Sequence, residues 1–551
     1  MTGVPWMRLG PIALFLLLVI PWLSSRAGGP STSVEPWLLS ALCGAAAYGI
    51  SRSRSPGWGV SGALVVFALW AILRSGVNAD TVALAAACLL VFMAASIASA
   101  GSDDDSFMRA VAWAWLAAAA ISTAIALVQY FGFSDRFAPF FSGTTAGEAY
   151  GNLRQRNQFA SLTVIGMATL FWLRPQHLTR WQAFAVIAWL AVGNAATTSR
   201  TGIAEMIGLA VLACIWPGER KARVQLWLVA FAAYAIAAFA LPWLLDAASG
   251  SPGNRLWERV ASVDSCSSRA VLWSNVLHLI SQKPWTGWGW GELDYAHYMT
   301  LYEGARFCDI LDNAHSLPLH LAVELGVPAA VLACLAIIGA VLRAQPWKEA
   351  DGARQMAWAV LAVLGLHSLL EYPLWYGPFQ IAGGLALGLL IAPRLALQDG
   401  DDDGHDAGRD RSPTDSRAFA PAFAPVLAIV AIAGCIYAAW DYRRVSQVYT
   451  APEARDSYLR DDPLPLVRNS WLFRSQVRFA ELTLTPLTLG NKEWTYETAQ
   501  TALHYSPEPR VIEKLIESGT LMGRDDEMVL HLARLRAAFP DAYEAWVKAK
   551  K

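Results

Sequence analysis

The chain has 551 residues, of which 55% are hydrophobic and 16% charged, and its formal net charge is −1. The length exceeds that of one ordinary soluble domain, and the near-neutral charge argues against a general binder of nucleic acids or anionic surfaces. Apolar runs of about 15 to 25 residues recur almost to the C-terminus, and each can cross roughly 30 Å of hydrocarbon as a helix. The sequence therefore predicts an all-α polytopic membrane protein.

We predict about thirteen transmembrane helices and interpret the first as a retained helix, since no convincing cleavage site follows it. With the N-terminus in the cytoplasm, five of the predicted cytoplasmic loops each carry at least two cations, as the positive-inside rule favours. Arg52 and Arg54 lie in the first such loop, and Arg174 and Arg180 in a later one. The predicted spans are 10–24, 35–50, 58–73, 80–100, 107–133, 157–173, 181–197, 201–217, 224–245, 315–342, 355–370, 373–393 and 419–440.

This topology places three longer segments outside the cytoplasm: 134–156, the large loop 246–314 and the tail from 441. The intervening cytoplasmic linker, 394–418, is polar and contains an acidic run that we interpret as a solvated linker rather than a metal site. Residues 1–440 form the predicted transmembrane domain.

The tail, 441–551, has a different composition, with balanced charges and apolar residues at helical spacing. Tyr505-Ser506-Pro507 and Phe539-Pro540 recur 34 residues apart, a spacing typical of tetratricopeptide-like helical hairpins. We predict a soluble helical-hairpin domain in the periplasm.

Five of the seven cysteines lie in predicted spans, whereas Cys266 and Cys308 both fall in the loop 246–314. If that loop faces an oxidising compartment, the two can form a disulfide; the alternative is a pair of free thiols. In the chain-entropy model, closing a loop of this length is worth about 4 kcal/mol.

Ionisable residues at membrane depth are costly and therefore indicate function. Arg200 lies in a short turn between two apolar spans, where it is either a snorkelling interface residue or a ligand for an anion such as phosphate. His315 opens a predicted span directly after the large loop. It is either a packing residue or a base held neutral by the helix N-terminus.

Three more polar segments share this face: Arg154-Gln155-Arg156-Asn157, Ser267-Ser268-Arg269, and the run from His367 through Glu371 and Tyr372 to Tyr376. A Gly/Trp run at 284–291 has no following Lys-Ser/Thr and so is no phosphate loop. No pair of acidic residues or histidines in the large loop has the spacing of a known metal-ligand motif, so we expect no metal site.

These residues resemble a known family. His315-Ser316, followed after nine residues by Gly326, is similar to the signature of the O-antigen ligase and O-antigen polymerase superfamily, with Ala329 as a mild departure. Arg-Gln-x-Asn at 154–157 and His-Ser-Leu-Leu-Glu-Tyr-Pro-Leu-Trp-Tyr at 367–376 resemble the PglL-type O-oligosaccharyltransferases of bacterial protein glycosylation. The resemblance covers about residues 140 to 395.

The resemblance implies a GT-C-like helical fold in the bacterial inner membrane, with its active site on the periplasmic face and no cofactor. Such enzymes transfer a glycan from undecaprenyl pyrophosphate to Ser or Thr hydroxyls of periplasmic proteins such as pilins. Arg200 and Arg269 would bind the pyrophosphate and His315 would assist the acceptor hydroxyl. Substrate-binding positions would be Arg154, Gln155, Asn157, Glu371 and Tyr372.

Three alternatives stay open. An O-antigen ligase would use the same chemistry with lipid A core as the acceptor, and an O-antigen polymerase would join two carrier-linked glycans. A transporter is disfavoured, because it would be expected to show internal repeats and mid-membrane helix breaks.

Overall fold

The computed structural model describes residues 6–249, 266–392 and 423–550, and within these ranges the regular elements are α-helices and short 3₁₀ turns without strands. Apolar segments become helices because a helix satisfies its backbone polar groups internally. In chain order the helices before the tail are α1 (Trp6–Leu23), α2 (Val34–Ile50), α3 (Gly57–Ser75), α4 (Ala79–Gly101), α5 (Asp105–Tyr130), α6 (Arg156–Ala168), α7 (Leu170–His177), α8 (Arg180–Ala196), α9 (Arg200–Ile215), α10 (Arg220–Ser249), α11 (Arg269–Gln282), α12 (Leu293–Met299), α13 (Leu317–Leu325), α14 (Val327–Ala344), α15 (Gly352–Ser368), α16 (Gly377–Ile391) and α17 (Phe423–Ser446).

Six described helices are long and apolar enough to cross a membrane, and three shorter ones are also apolar, so the chain is a multi-pass membrane protein. Each predicted span overlaps a described helix. The count of thirteen membrane helices and the periplasmic location of the large loop stay predictions. The linker 394–418 and residues 250–265 of the large loop lie outside the described residues. The six candidate spans are Gly57–Ser75, Ala79–Gly101, Asp105–Tyr130, Arg220–Ala248, Val327–Lys348 and Phe423–Tyr449.

A single apolar core joins most of these helices, with α4 against α16, α1 against α5, and α8 against α10. Small residues permit the closest approach, as is usual between helices in membranes. At Gly388 of α16 a Cβ atom would lie 2.3 Å from the carbonyl oxygen of Ala95 on α4, so any larger residue would push the two helices apart.

Three peripheral helices, α3, α14 and α17, are only slightly buried and expose apolar side chains such as Val66, Leu332 and Ile429. Between them and the core lies a cavity of about 2370 Å³ with mainly apolar walls. Asn313 and Tyr372 line it as well, so the cavity extends to the loops that carry the polar residues of interest.

The predicted span 315–342 is wrong as one helix, since it divides into α13 and α14 at Gly326. The Gly/Trp run crosses this break: the N–H of Gly289 donates to Glu324 O (3.0 Å) and the N–H of Val327 donates to Pro284 O (2.8 Å). Gly326 has φ +93°, and a Cβ there would lie 2.4 Å from Trp285 O. Only glycine permits this backbone crossing. The predicted span 157–173 likewise divides, into α6 and α7.

The tail packs as successive helices whose apolar face follows the 3–4 residue spacing, with Val511, Ile512, Leu515 and Ile516 all buried. It contacts α12 of the large loop, where the hydroxyl of Tyr298 lies 2.8 Å from His531 Nδ1. The predicted domain boundary at 441 stays a prediction. The tail helices are α18 (Leu464–Val467), α19 (Arg474–Leu484), α20 (Lys492–Leu503), α21 (Pro509–Leu521), α22 (Asp525–Ala538) and α23 (Pro540–Lys550).

A disulfide joins Cys266 and Cys308, the pairing that the sequence predicts. It connects the start of α11 to the segment that leads into α13, and both helices belong to the candidate site described below.

We predict that alkylation of denatured, unreduced protein leaves Cys266 and Cys308 unmodified, because their sulfurs are bonded to each other. Peptide mass spectrometry should find the two peptides linked, and found separately only after reduction. The five other cysteines serve as the internal control. Recovery of both residues as alkylated without reduction would contradict the disulfide.

Candidate active site

Glu371 is the centre of a polar site in the loop between α15 and α16. Its backbone N–H donates to His367 O (2.8 Å), which continues the end of α15 by one turn. Its carboxylate side chain is 8% exposed and accepts hydrogen bonds from three other segments. Arg269 Nη2 and Asn157 Nδ2 (3.1 Å) donate to Oε1, and His315 Nδ1 lies 2.7 Å from Oε2. We call this group of four residues the Glu371 site.

His315 stands two residues before α13, so the expectation that it opens the helix is wrong. Its φ is +49°, a left-handed conformation that non-glycine residues rarely adopt and that is found repeatedly at active sites. Asn313 Oδ1 stabilises this turn by accepting the N–H of His315 (2.9 Å), and the ring of Tyr372 packs edge-on against the imidazole at 5.0 Å. Asn313 thus holds the backbone of His315, and Tyr372 packs against its ring.

The partner of His315 fixes which ring nitrogen carries the proton. An ionised carboxylate can only accept hydrogen bonds, so a neutral His315 facing Glu371 must bear its proton on Nδ1. The lone pair then lies on Nε2, on the opposite side of the ring. This arrangement, a carboxylate holding one nitrogen of a histidine whose other nitrogen is free, is that of a general base.

Burial raises the pKa of Glu371, but the hydrogen bond and charge of His315, together with the charge of Arg269, outweigh it and leave the pKa below its ordinary value. The carboxylate is therefore ionised at neutral pH. Burial also raises the pKa of Tyr372, which keeps its hydroxyl protonated.

Both predicted anion-binding arginines begin helices that a serine caps. Ser268 Oγ accepts the N–H of Val271 at the start of α11, and Ser199 Oγ accepts the N–H of Gly202 at the start of α9. Ser199 also lies 2.6 Å from Asn157 Oδ1, which connects the Arg200 turn to the Glu371 site. The guanidinium of Arg200 is exposed and makes no hydrogen bond to another described residue.

Two predicted site residues do not join the Glu371 site. The side chain of Gln155 caps α6 by accepting the N–H of Gln158 (2.9 Å). Arg154 points to Ser142 Oγ (3.3 Å) and to the carbonyl of Ser25, and so ties this loop to the end of α1. Both side chains therefore have structural contacts outside the Glu371 site.

The sequence analysis gave no site role to Ser199 or Asn313. It named Tyr376 only as the end of a polar segment, and the ring of Tyr376 stacks on that of Tyr372 at 6.0 Å. The sequence could have indicated both Ser199 and Asn313. Ser199 directly precedes Arg200 and Asn313 lies two residues before His315, and serine and asparagine near a helix start commonly form caps and turns. Within the described residues, no three His, Cys, Asp or Glu side chains are grouped so that they could hold a metal ion.

Comparison with known families covers every part of this site. Residues 183–334 match the family described as O-antigen ligase, and this stretch contains Arg200, Arg269 and His315. Residues 149–173, which contain Asn157, match the family described as protein glycosylation ligase. Residues 355–551, which contain Glu371, match the C-terminal part of virulence factor membrane-bound polymerases. The resemblance of the sequence to the O-antigen ligase superfamily and to its PglL-type protein glycosylation ligases is thus confirmed.

Two curated relatives come from Acinetobacter baylyi. A ComP-specific O-oligosaccharyltransferase is 24% identical over 292 residues, which are 52% of this chain and 52% of that protein. A general O-oligosaccharyltransferase is 22% identical over 312 residues, which are 55% of this chain and 54% of that protein. The matched region thus spans about half the length of these relatives.

The lowered pKa of Glu371 predicts a pH-dependent stability. Its ionised form is favoured by folding, so its contribution is complete above its ordinary value of 4.5 and is lost as the pH falls through the lower, folded value. We expect the melting temperature of the detergent-solubilised protein to fall more steeply below about pH 4.5 than that of Glu371→Gln, measured by intrinsic fluorescence. Parallel curves for the two proteins would contradict this account.

Proposed function

We propose that this protein is an O-oligosaccharyltransferase that transfers a glycan from undecaprenyl pyrophosphate to Ser or Thr hydroxyls of a periplasmic protein such as a pilin. The observation that carries the proposal is that His315 Nδ1 and Arg269 bind the two oxygens of the same Glu371 carboxylate, while Nε2 of His315 makes no hydrogen bond to another described residue. Further support comes from the family matches and from two relatives named as O-oligosaccharyltransferases.

In this reaction the acceptor hydroxyl attacks the anomeric carbon of the first sugar. A bond forms between the hydroxyl oxygen and that carbon, while the bond from that carbon to the pyrophosphate oxygen breaks. The proton of the hydroxyl passes to Nε2 of His315, and Glu371 stabilises the imidazolium that results. Undecaprenyl pyrophosphate leaves with the electron pair, so direct displacement inverts the anomeric centre.

The leaving group gains negative charge, which Arg269 and Arg200 can stabilise. Arginine presents a planar fork of donors that matches phosphate, and preorganised positive charge at the leaving group lowers the barrier. One N–H group of the Arg269 guanidinium binds Glu371. The Arg269 side chain is still 34% exposed, so its other N–H groups are available to a ligand. We propose that these arginines supply the charge stabilisation without a metal ion.

The polyprenyl chain of the donor needs an apolar site within the membrane. The cavity of about 2370 Å³ between the core and α3, α14 and α17 has such walls. Since it also reaches Asn313 and Tyr372, a lipid there would have its headgroup near His315. This favours a donor anchored in the membrane, with the active site at the periplasmic face of the inner membrane.

The proposal predicts that His315→Ala lowers glycan transfer by about 10² to 10⁴, because a positioned base is lost. Arg269→Ala should also abolish most transfer. The assay is co-expression with a carrier-linked glycan and a candidate pilin, read as the intact mass of the pilin. His278→Ala is the matched control, since that histidine is exposed on α11, the helix that Arg269 begins.

A glycan mass on the pilin that disappears in both variants and persists in His278→Ala would support a protein acceptor. Glycan found only on lipopolysaccharide would favour an O-antigen ligase, and lengthened carrier-linked glycan would favour a polymerase. Full transfer by His315→Ala would contradict the proposed mechanism for all three acceptors.

A further inference from the structure

Three buried polar side chains form a second cluster beneath the Glu371 site. Ser161 Oγ lies 2.6 Å from Glu205 Oε1 and 2.7 Å from His367 Nδ1. All three residues are at most 1% exposed, and each comes from a different helix: α6, α9 and α15. We call them the Ser161 cluster. Ionisable side chains buried in a membrane protein are costly, and their retention indicates a function.

Each member of the Ser161 cluster lies about one helical turn from a residue of the candidate site. Ser161 follows Asn157 by four residues, and its hydroxyl lies 3.0 Å from Asn157 O. His367 precedes Glu371 by four residues and accepts its N–H. Glu205 follows Arg200 by five residues. The cluster therefore joins the three helix ends that carry these site residues.

The Ser161 hydroxyl is the centre of the cluster. It has one proton, so it can donate to only one of its three neighbours, Asn157 O, Glu205 Oε1 and His367 Nδ1, and can contact the others only as an acceptor. His367 Nε2 and Glu205 Oε2 have no hydrogen-bond partner among the described residues. Well-packed apolar side chains would avoid leaving such atoms unsatisfied, so stability alone does not explain the cluster.

We propose that Ser161, Glu205 and His367 are positioning residues for glycan transfer. By linking α6, α9 and α15 one turn below the site, they fix where Asn157 and Glu371 meet, and so fix the orientation of His315. This inference rests on the proposed function, because it assigns the cluster a role in the same reaction. The three residues act through the Glu371 site and do not touch the substrates.

The test compares Ser161→Ala, Glu205→Leu and Glu205→Gln in the full-length protein, purified in detergent and assayed with lipid-linked glycan and pilin. The first two variants should lower kcat by about 10-fold to 100-fold, since small displacements of reacting groups have effects of this size. KM should stay within about twofold, because substrate contacts are intact. Glu205→Gln should retain most activity, since its amide oxygen still accepts from Ser161.

Thr163→Val is the matched control, as Thr163 is also buried on α6 and its hydroxyl accepts from Asn194 Nδ2 (2.8 Å), outside the cluster. Hydrogen–deuterium exchange gives a second readout: amides of residues 369–376 should exchange faster in Ser161→Ala than in Thr163→Val. Should Glu205→Leu fail to fold, Ser161→Ala carries the test alone.

Wild-type kcat in Ser161→Ala would overturn the proposal, as would a Glu205→Gln variant as slow as Glu205→Leu. A different result, no glycan transfer to the pilin by the wild-type protein, would refute the proposed function instead. The exchange measurement would still report whether the cluster orders the loop that carries Glu371.

Discussion

The site depends on one buried carboxylate that accepts hydrogen bonds from three distant parts of the chain. Asn157, Arg269 and His315 begin or precede α6, α11 and α13, and all three converge on Glu371 at the end of α15. A buried carboxylate without such partners would be strongly destabilising. These helix ends are therefore constrained to meet, and their meeting point is where the candidate chemistry lies.

Several local features follow from this constraint. The left-handed turn at His315 directs the imidazole toward Glu371, and Asn313 holds the turn in place. The break at Gly326 lets the Gly/Trp run cross between α13 and α14, which fixes α13 beside the large loop. The disulfide joins the segments before α11 and α13, so the parts of the chain that carry Arg269 and His315 are linked covalently as well.

Hydropathy predicted the helical class, and every predicted span overlaps a helix. The spacing around His315, Arg269 and Glu371 predicted that polar residues from separate segments share one site. The sequence could not show that Gln155 caps its own helix, which depends on local dihedral angles, or that Arg154 binds Ser142 and the carbonyl of Ser25, which depends on contacts between distant segments. The division of 315–342 into two helices was also missed, since it depends on a backbone crossing from residues 284–291, and hydropathy does not register such long-range contacts.

The central claim is that Glu371 acts through His315, and a double-mutant cycle tests it most directly. The measurement is kcat for glycan transfer by wild type, Glu371→Gln, His315→Ala and the double variant. If the carboxylate works only by orienting the imidazole and stabilising its charged form, Glu371→Gln should have no further effect once His315 is alanine. Losses that multiply in the double variant would show that the two residues act independently and would contradict this account.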